Sequence, residues 1–184
     1  MNDSELLSII KDCLNGGKES FSQIIKLYQK QIYVMCFHSL GIPQDAEDAA
    51  TEIFIKIFKS LCSFDSNYKF STWAYKIAAN HLNDLLRKRQ REKKYFLSEF
   101  AKRMKSTERS TPEMEFMRKM ERNSLKRALT SISLQHKNAL MLKYYFNLSY
   151  QEIGEIMDIP VNTVGSLLFR GKIELRAKLE DMGG

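Results

Sequence analysis

The chain has 184 residues, of which 43% are hydrophobic and 28% charged, and a net charge of +7. That length holds one domain or two small ones, and the balance is that of a globular protein. No run of about 18 apolar residues predicts a membrane span, and the opening MNDSELLSIIKDCLNGG lacks the basic start and long apolar core of a secretory signal.

The charge is unevenly distributed. Residues 1–86 carry 8 basic and 10 acidic groups, residues 87–105 carry 9 and 2, and residues 106–184 carry 12 and 10. Two readings of the basic segment stand side by side: a solvated helix end, or a patch that faces a polyanion. Cys13, Cys36 and Cys62 form no CxxC pair, and three such separated thiols predict buried, reduced cysteines of a cytosolic protein. His38 lies two residues from Cys36 without a second ligand pair, so no metal site is expected.

Apolar residues recur at helical spacing along the chain, which predicts an all-α fold. A first helix covers residues 4–14 with Leu6, Leu7, Ile10 and Leu14 inward, and Asn15-Gly16-Gly17 stops it. A second, from about 19 to 40, buries Phe21, Ile24, Ile25, Tyr28, Ile32, Met35 and Cys36. Gly41-Ile42-Pro43 breaks the pattern. Asp45 is then the expected N-cap of a third helix reaching about Leu61, with Ala49, Ile53, Phe54, Ile57, Phe58 and Leu61 inward. Asp45, Glu47, Asp48 and Glu52 crowd its early turns. They match the helix dipole, and they would equally make an acidic docking face for a basic partner.

The stretch FDSNYKFSTWAYKIAANHLNDLLRKRQR, residues 64–91, is the most distinctive. A polar turn leads into Phe64, Tyr68, Phe70, Trp73 and Tyr75, and a fourth helix from about Ser71 to Arg89 ends in Arg87, Lys88, Arg89 and Arg91. Rings beside a basic strip suit single-stranded nucleic acid, because bases stack on rings while cations follow phosphates. Asp65, Ser66, Asn67, Lys69, Ser71 and Thr72 would wall a pocket for an unstacked base. Burial in a core is the competing reading for Phe70, Trp73 and Tyr75.

Residues 1–91 thus make one helical domain. Residues 92–123, with a small polar centre at Ser106–Pro112, read as a flexible linker, with room for some helix on either side of that centre. Residues 124–184 make a second domain. Leu125, Leu129 and Ile132 start it, Ser133 caps one helix, and Ser149 with Glu152 has capping-box spacing for the next. Asp158-Ile159-Pro160 then turns the chain into a last helix from about Val161 to Leu179. This is helix-turn-helix spacing. With Val164, Leu168, Leu175 and Leu179 inward, Asn162, Thr163, Ser166, Leu167 and Arg170 lie outward or at the flank. There they would read base edges or phosphates in a major groove. A merely solvated helical face is the alternative.

In order, DAEDAATEIFIKIFKSL, FSTWAYKIAANHLNDLLRKRQR, a linker and LKRALTSISLQHKNALMLKYYFNLSYQEIGEIMDIPVNTVGSLLFRGKIELRAKL closely resemble the extracytoplasmic-function subfamily of bacterial RNA polymerase sigma factors. The resemblance covers residues 18–91 and 124–179. It implies two small helical domains, regions two and four, joined by a flexible linker. It implies binding to core RNA polymerase, recognition of promoter DNA, and promoter melting at the start of transcription. Asp45, Asp48, Glu52, Ile53 and Lys56 would dock on the polymerase clamp. The positions from Asp65 to Thr72, with Trp73, Lys76, Asn80 and Asn83, would capture the minus-ten element and a flipped base of the single-stranded non-template strand. Arg87, Lys88 and Arg89 would touch its backbone. Region four would read the double-stranded minus-thirty-five element, and the linker would thread toward the polymerase active site and RNA exit path. The resemblance further implies a cytoplasmic protein and an anti-sigma factor, often membrane-linked.

No active site is expected. His38, His81 and His136 lie in separate segments, and neither a Gly-rich phosphate loop nor a metal spacing appears. No cofactor, metal, small-molecule substrate or membrane insertion is therefore expected. A stand-alone helix-turn-helix regulator that never joins polymerase is the other reading. One departure stands out. The family's G-T-V-K-S-R-L-x-R-A reads Asn162-Thr163-Val164-Gly165-Ser166-Leu167-Leu168-Phe169-Arg170-Gly171 here, so two cationic positions are Gly165 and Leu167. Fewer phosphate contacts predict weaker and less salt-sensitive minus-thirty-five binding, with Leu167 meeting a thymine methyl. Gly165 and Gly171 are each expected to soften the helix, by about 1 kcal/mol relative to alanine.

Overall fold

Helices end in this protein where particular residues force the backbone to turn. The computed structural model describes residues 3–103, 128–129 and 131–183. Among them the regular elements are helices: α1 (Asp3–Leu14), α2 (Lys18–Leu40), α3 (Pro43–Ser60), α4 (Phe70–Arg103), α5 (Leu134–Tyr144), α6 (Tyr150–Met157) and α7 (Val161–Gly183), with one 3-10 turn at Leu61–Ser63. Gly41, at φ +79°, closes α2 by donating its N–H to the Phe37 carbonyl, a left-handed cap that suits a residue without Cβ.

Two boundaries differ from the sequence expectation. Helix α3 begins at Pro43, with extended Ile42 as its N-cap, so Asp45 sits in the first turn and caps nothing. Proline at the first helical position loses no hydrogen bond and has its φ already set. Within α3, Asp45 then acts on the helix dipole rather than as a cap. Helix α4 runs 34 residues to Arg103, beyond its expected end near Arg89 and into the flank of the 92–123 stretch, where the sequence leaves room for some helix. Positions 92–103 contain neither proline nor glycine and are mostly strong helix formers. A basic run thus continued the helix. Positions 104–127, including Ser106–Pro112 and Leu125, lie outside the described residues.

In the first half α2 packs on α1 and α3, and α4 crosses both α2 and α3. Ile24, Ile32, Cys36, Ile53 and Ile57 are fully buried there. Leu14, expected inward, is exposed. Phe58 is also exposed, although its ring meets that of Phe21 edge-on at 4.9 Å. Cys13 and Cys36 are buried as expected, but Cys62 is exposed. Leu61 takes the inward place on that 3-10 turn and leaves its neighbour outside.

In the second half Ala128, Ile132, Leu142, Ile153, Ile156, Val164 and Leu168 form the buried set. Ser133 caps α5 by accepting the His136 N–H at 3.3 Å. Ser149 and Glu152 complete the capping box of α6. Asp158, left-handed at φ +56°, ends α6 and turns the chain toward α7. The two halves touch: α4 packs against α6, and α2 against α5. Among the described residues no helix is long and apolar enough to cross a membrane.

Candidate nucleic-acid interface

The loop ahead of α4 is folded by its own polar residues. The Asp65 carboxylate accepts the Asn67 N–H at 2.9 Å, and its carbonyl accepts the Tyr68 N–H at 3.1 Å. This Asx turn throws Tyr68 outward, where it is 63% exposed. Phe70, the first residue of α4, turns the other way and is only 4% exposed. It packs on Phe64 at 5.2 Å, Tyr28 at 5.4 Å and Trp73 at 5.5 Å. The ring cluster therefore divides into a packed floor and a single exposed ring. Thr72 is buried and Ser71 half-buried, so Phe70 and Thr72 support the loop from below.

Above that floor lies a pocket of about 170 Å³ bounded by Phe64, Ser66, Asn67, Tyr68, Lys69 and Phe70. Leu6 and Leu7 of α1 close its far wall. The sequence singled out neither leucine for this role, because a Leu-Leu pair in an amphipathic helix carries only a core signal. Along α4, Trp73, Lys76, Asn80, Asn83 and Arg87 recur at three- and four-residue steps and share one stripe. Trp73, Lys76 and Asn83 are half-buried, while Asn80, Arg87 and Lys88 are exposed. Arg89 leaves the stripe and reaches across to α3, where it pairs with Asp45 at 2.9 Å. One residue expected on DNA and one expected on polymerase are thus joined to each other.

On α3, Asp48, Glu52 and Lys56 are exposed at four-residue steps, whereas Ile53 is fully buried in the core and offers no contact surface. A carboxylate oxygen of Glu52 lies 3.3 Å from Nε2 of buried His81. Burial, and then the nearby Lys56 charge, hold the imidazole below its ordinary pKa against the pull of Glu52 and Asp84.

On α7, Asn162, Thr163, Ser166 and Arg170 are exposed and Leu167 is half-buried. The Ser166 hydroxyl donates to the Thr163 carbonyl at 2.8 Å. Phe169 and Ile173 beside Arg170 are exposed at 66% and 55%. The sequence reading passed over them, although an apolar i,i+4 pair opposite Val164 and Leu168 was visible in it.

Where the halves meet, Lys69 Nζ lies 2.9 Å from a Glu152 oxygen and Lys76 Nζ lies 3.7 Å from Asp158. Tyr75 and Phe146 put their ring centroids 5.1 Å apart. A separate cavity of about 180 Å³ between the halves has Asn83 and Arg87 on one side and Thr163 and Leu167 on the other. The Lys69 ammonium, with help from Ser149, pulls the Glu152 carboxyl down to a pKa of about 2. Leu167, expected to face a thymine methyl, lines this cavity instead.

Known proteins share this plan. Residues 24–92 match the family model described as Sigma-70 region 2, and residues 122–175 match that described as Sigma-70, region 4. The ECF RNA polymerase sigma factor SigW of Bacillus subtilis (strain 168) is 35% identical, over 94% of this chain and 96% of the relative. The chain belongs to the extracytoplasmic-function sigma factors. The ECF RNA polymerase sigma-E factor of Escherichia coli (strain K12) is 29% identical over 95% of this sigma factor and 94% of its own length. Among solved structures, CnrH in complex with the cytosolic domain of CnrY has a TM-score of 0.67 at 19% identity, covering 94% of this chain and 96% of that one. The sigma factor RpoE in complex with the anti-sigma factor NepR from Bartonella quintana also gives 0.67 at 19%, covering 88% and 98%. Both support the all-helical fold. As a sigma factor the chain serves RNA polymerase in transcription initiation, and such factors are non-catalytic. Among the described residues no group of three His, Cys, Asp or Glu side chains could hold a metal ion.

Proposed function

We propose that residues 1–91 engage both core polymerase and the minus-ten element, that residues 124–184 engage the minus-thirty-five element, and that the stretch between them spans the enzyme. In this reading Asp48, Glu52 and Lys56 on the outer face of α3 meet the polymerase clamp. Tyr68 stacks on one extruded base of the non-template strand, Asp65, Ser66, Asn67 and Lys69 wall its pocket, and Lys76, Asn80, Arg87 and Lys88 follow the backbone. Asn162, Thr163, Ser166 and Arg170 enter the major groove. A cytoplasmic location and a cognate anti-sigma factor that covers these surfaces belong to the same reading, as does the absence of any catalytic step in this chain.

The observation that carries the proposal is one exposed ring, Tyr68, at the mouth of a 170 Å³ pocket beside a cationic stripe. That volume admits one planar heterocycle. Opening DNA costs about 1.4 kcal/mol per stacked step, and stacking a base on a ring returns about 1–3 kcal/mol. One captured base therefore holds a bubble only with polymerase assisting, so the isolated chain is expected to bind promoter DNA weakly. The test is reconstituted transcription with bacterial core polymerase, with permanganate reactivity of unpaired thymines as the measure of opening. Tyr68→Ala is expected to lower opening by about 5- to 150-fold without loosening the chain from core enzyme. Failure of the chain to bind core enzyme, or unchanged opening by Tyr68→Ala, refutes the proposal.

A further inference from the structure

Helix α5 carries a lysine where its neighbours along the same face are apolar. Lys137, Leu140, Met141 and Tyr144 stand at steps of three and four residues and so share one stripe. Leu140 is buried, and Lys137 is buried beside it, at 8% exposure. A lysine at that depth ordinarily has an acid beside it. The acids around α5 and α7 are committed elsewhere: Glu152 to Lys69, Glu174 to His136 and Asp181 to Lys178. Among the described residues none pairs with Lys137, and burial holds its amine below the ordinary lysine pKa.

The same stripe faces a cavity of about 420 Å³, within the range of about 300–1,000 Å³ typical of small-molecule sites. Leu140 and Met141 of α5, Leu175 of α7 and Leu129 give it apolar walls around Lys137. Tyr144 is an exposed ring of its rim, and the Lys172 ammonium stands 5.0 Å over that ring. His38 of α2 borders it on another side. Among the described residues no acid lines it, and none of those assigned to DNA or to polymerase does.

We propose that this cavity binds an anionic amphiphile, a monocarboxylate with an unbranched acyl chain, whose head pairs with Lys137 and whose chain lies on Leu129, Leu140, Met141 and Leu175. Charge and wall chemistry select that class together. A neutral apolar molecule would leave the buried ammonium unpaired, and a cation would add a like charge beside it. A compact polar anion would gain nothing from the four apolar walls. One buried cation matches one carboxylate, whereas a dianion would bring a second charge into the apolar part of the site. Lys172, exposed at the rim, adds attraction on approach.

The test uses the purified full chain labelled with ¹³C at its methionine methyl groups and titrated with decanoate below micelle formation. The Met141 resonance, identified with Met141→Leu, reports on the cavity, and calorimetry reads the affinity. Decanoate is expected to shift Met141 saturably. Lys137→Met removes the ammonium and keeps an unbranched side chain, and it is expected to weaken binding about tenfold or more. Loss of an unpaired buried charge also predicts a Tm no lower than that of the wild type. Lys178→Gln is the control, a lysine of α7 that pairs with Asp181 and does not line the cavity; its affinity is expected within about twofold of the wild type. Decyltrimethylammonium, with the same chain and the opposite charge, is expected to leave Met141 unmoved. A Met141 resonance indifferent to decanoate overturns the site. An equal response to the cationic chain, or an equal loss with Lys178→Gln, reduces the effect to grease or net charge and overturns the proposal. A lower Tm for Lys137→Met also overturns it, because the ammonium would then have a structural partner already. None of these readings depends on the nucleic-acid assignments.

Discussion

Two glycines of α7 offer a test in which the same substitution has opposite consequences. Gly165 and Gly171 both lie in the helix interior at negative φ, so alanine at either position gains about 1 kcal/mol of helix propensity. Their surroundings differ. A Cβ at Gly165 would meet only the Tyr150 ring, at 3.6 Å, which is ordinary contact. A Cβ at Gly171 would lie 3.1 Å from the His136 Cβ and 3.4 Å from two Leu140 carbons. Gly171 is buried where α7 presses on α5, and His136 is held there by its contact with Glu174. Overpacking of this kind costs about 1–3 kcal/mol, which cancels or exceeds the propensity gain.

Gly165→Ala is therefore expected to stabilise region four by about 1 kcal/mol, and Gly171→Ala to leave it unchanged or destabilise it by up to about 2 kcal/mol. For a unit of this size 1 kcal/mol moves Tm by roughly 4–8 °C. Calorimetry of the full chain, with the region-four transition resolved from that of region two, reads both. A lower Tm for Gly165→Ala, or a rise for Gly171→Ala equal to that for Gly165→Ala, refutes the reasoning. The expectation that both glycines soften the helix alike does not match their packing: Gly171 is a requirement of close approach, and Gly165 is a departure that costs stability without a packing return.

Two further outcomes follow from buried groups. His81 has its pKa lowered in the folded state, so below its ordinary value of 6.5 the unfolded chain takes up more protons. Its contribution is intact above that pH and is lost as pH falls through it; the urea midpoint of region two is expected to drop between about pH 7 and pH 5, and His81→Leu to remove that part of the slope. Cys62 is the exposed thiol, while burial raises Cys13 and pushes Cys36 up to about 12. A thiol reagent such as DTNB is thus expected to modify one cysteine rapidly in the native chain and the other two only on unfolding, and fast reaction of two or three would contradict the burial.

Much of the fold was legible because the signals are local. The apolar periods of α2 and α3, the Gly41 stop, the Ser133 cap and the Ser149/Glu152 box each depend on residues within four positions of one another. The misses share a different origin. Pro43 outcompeted Asp45 for the start of α3 because a fixed φ acts one step ahead of a side-chain cap. The expected end of α4 near Arg89 fell short because charge alone does not end a helix, and α4 continues to Arg103. In the candidate site, the order of rings and cations along residues 64–91 marked the segment that folds around the pocket at Phe64–Phe70. Only the three-dimensional turn separated exposed Tyr68 from buried Phe70, two residues away and equally aromatic in the sequence.

Glu152 shows where such reading stops in principle. As a letter it is fully accounted for by the serine three residues before it, and the capping box would look the same in a region four standing alone. Its second oxygen is uncommitted by any local rule, and it is that oxygen which binds Lys69, 83 residues away. A carboxylate has two acceptor atoms and roughly four lone-pair sites, so a satisfied local motif can still hold a long-range contact in reserve. The same arithmetic applies to Asp45, which acts on the α3 dipole and also receives Arg89 from α4. In both cases the acid belongs to one helix by sequence and to another by charge. Rearranging the halves of this chain therefore requires breaking ion pairs, while each helix keeps its own cap.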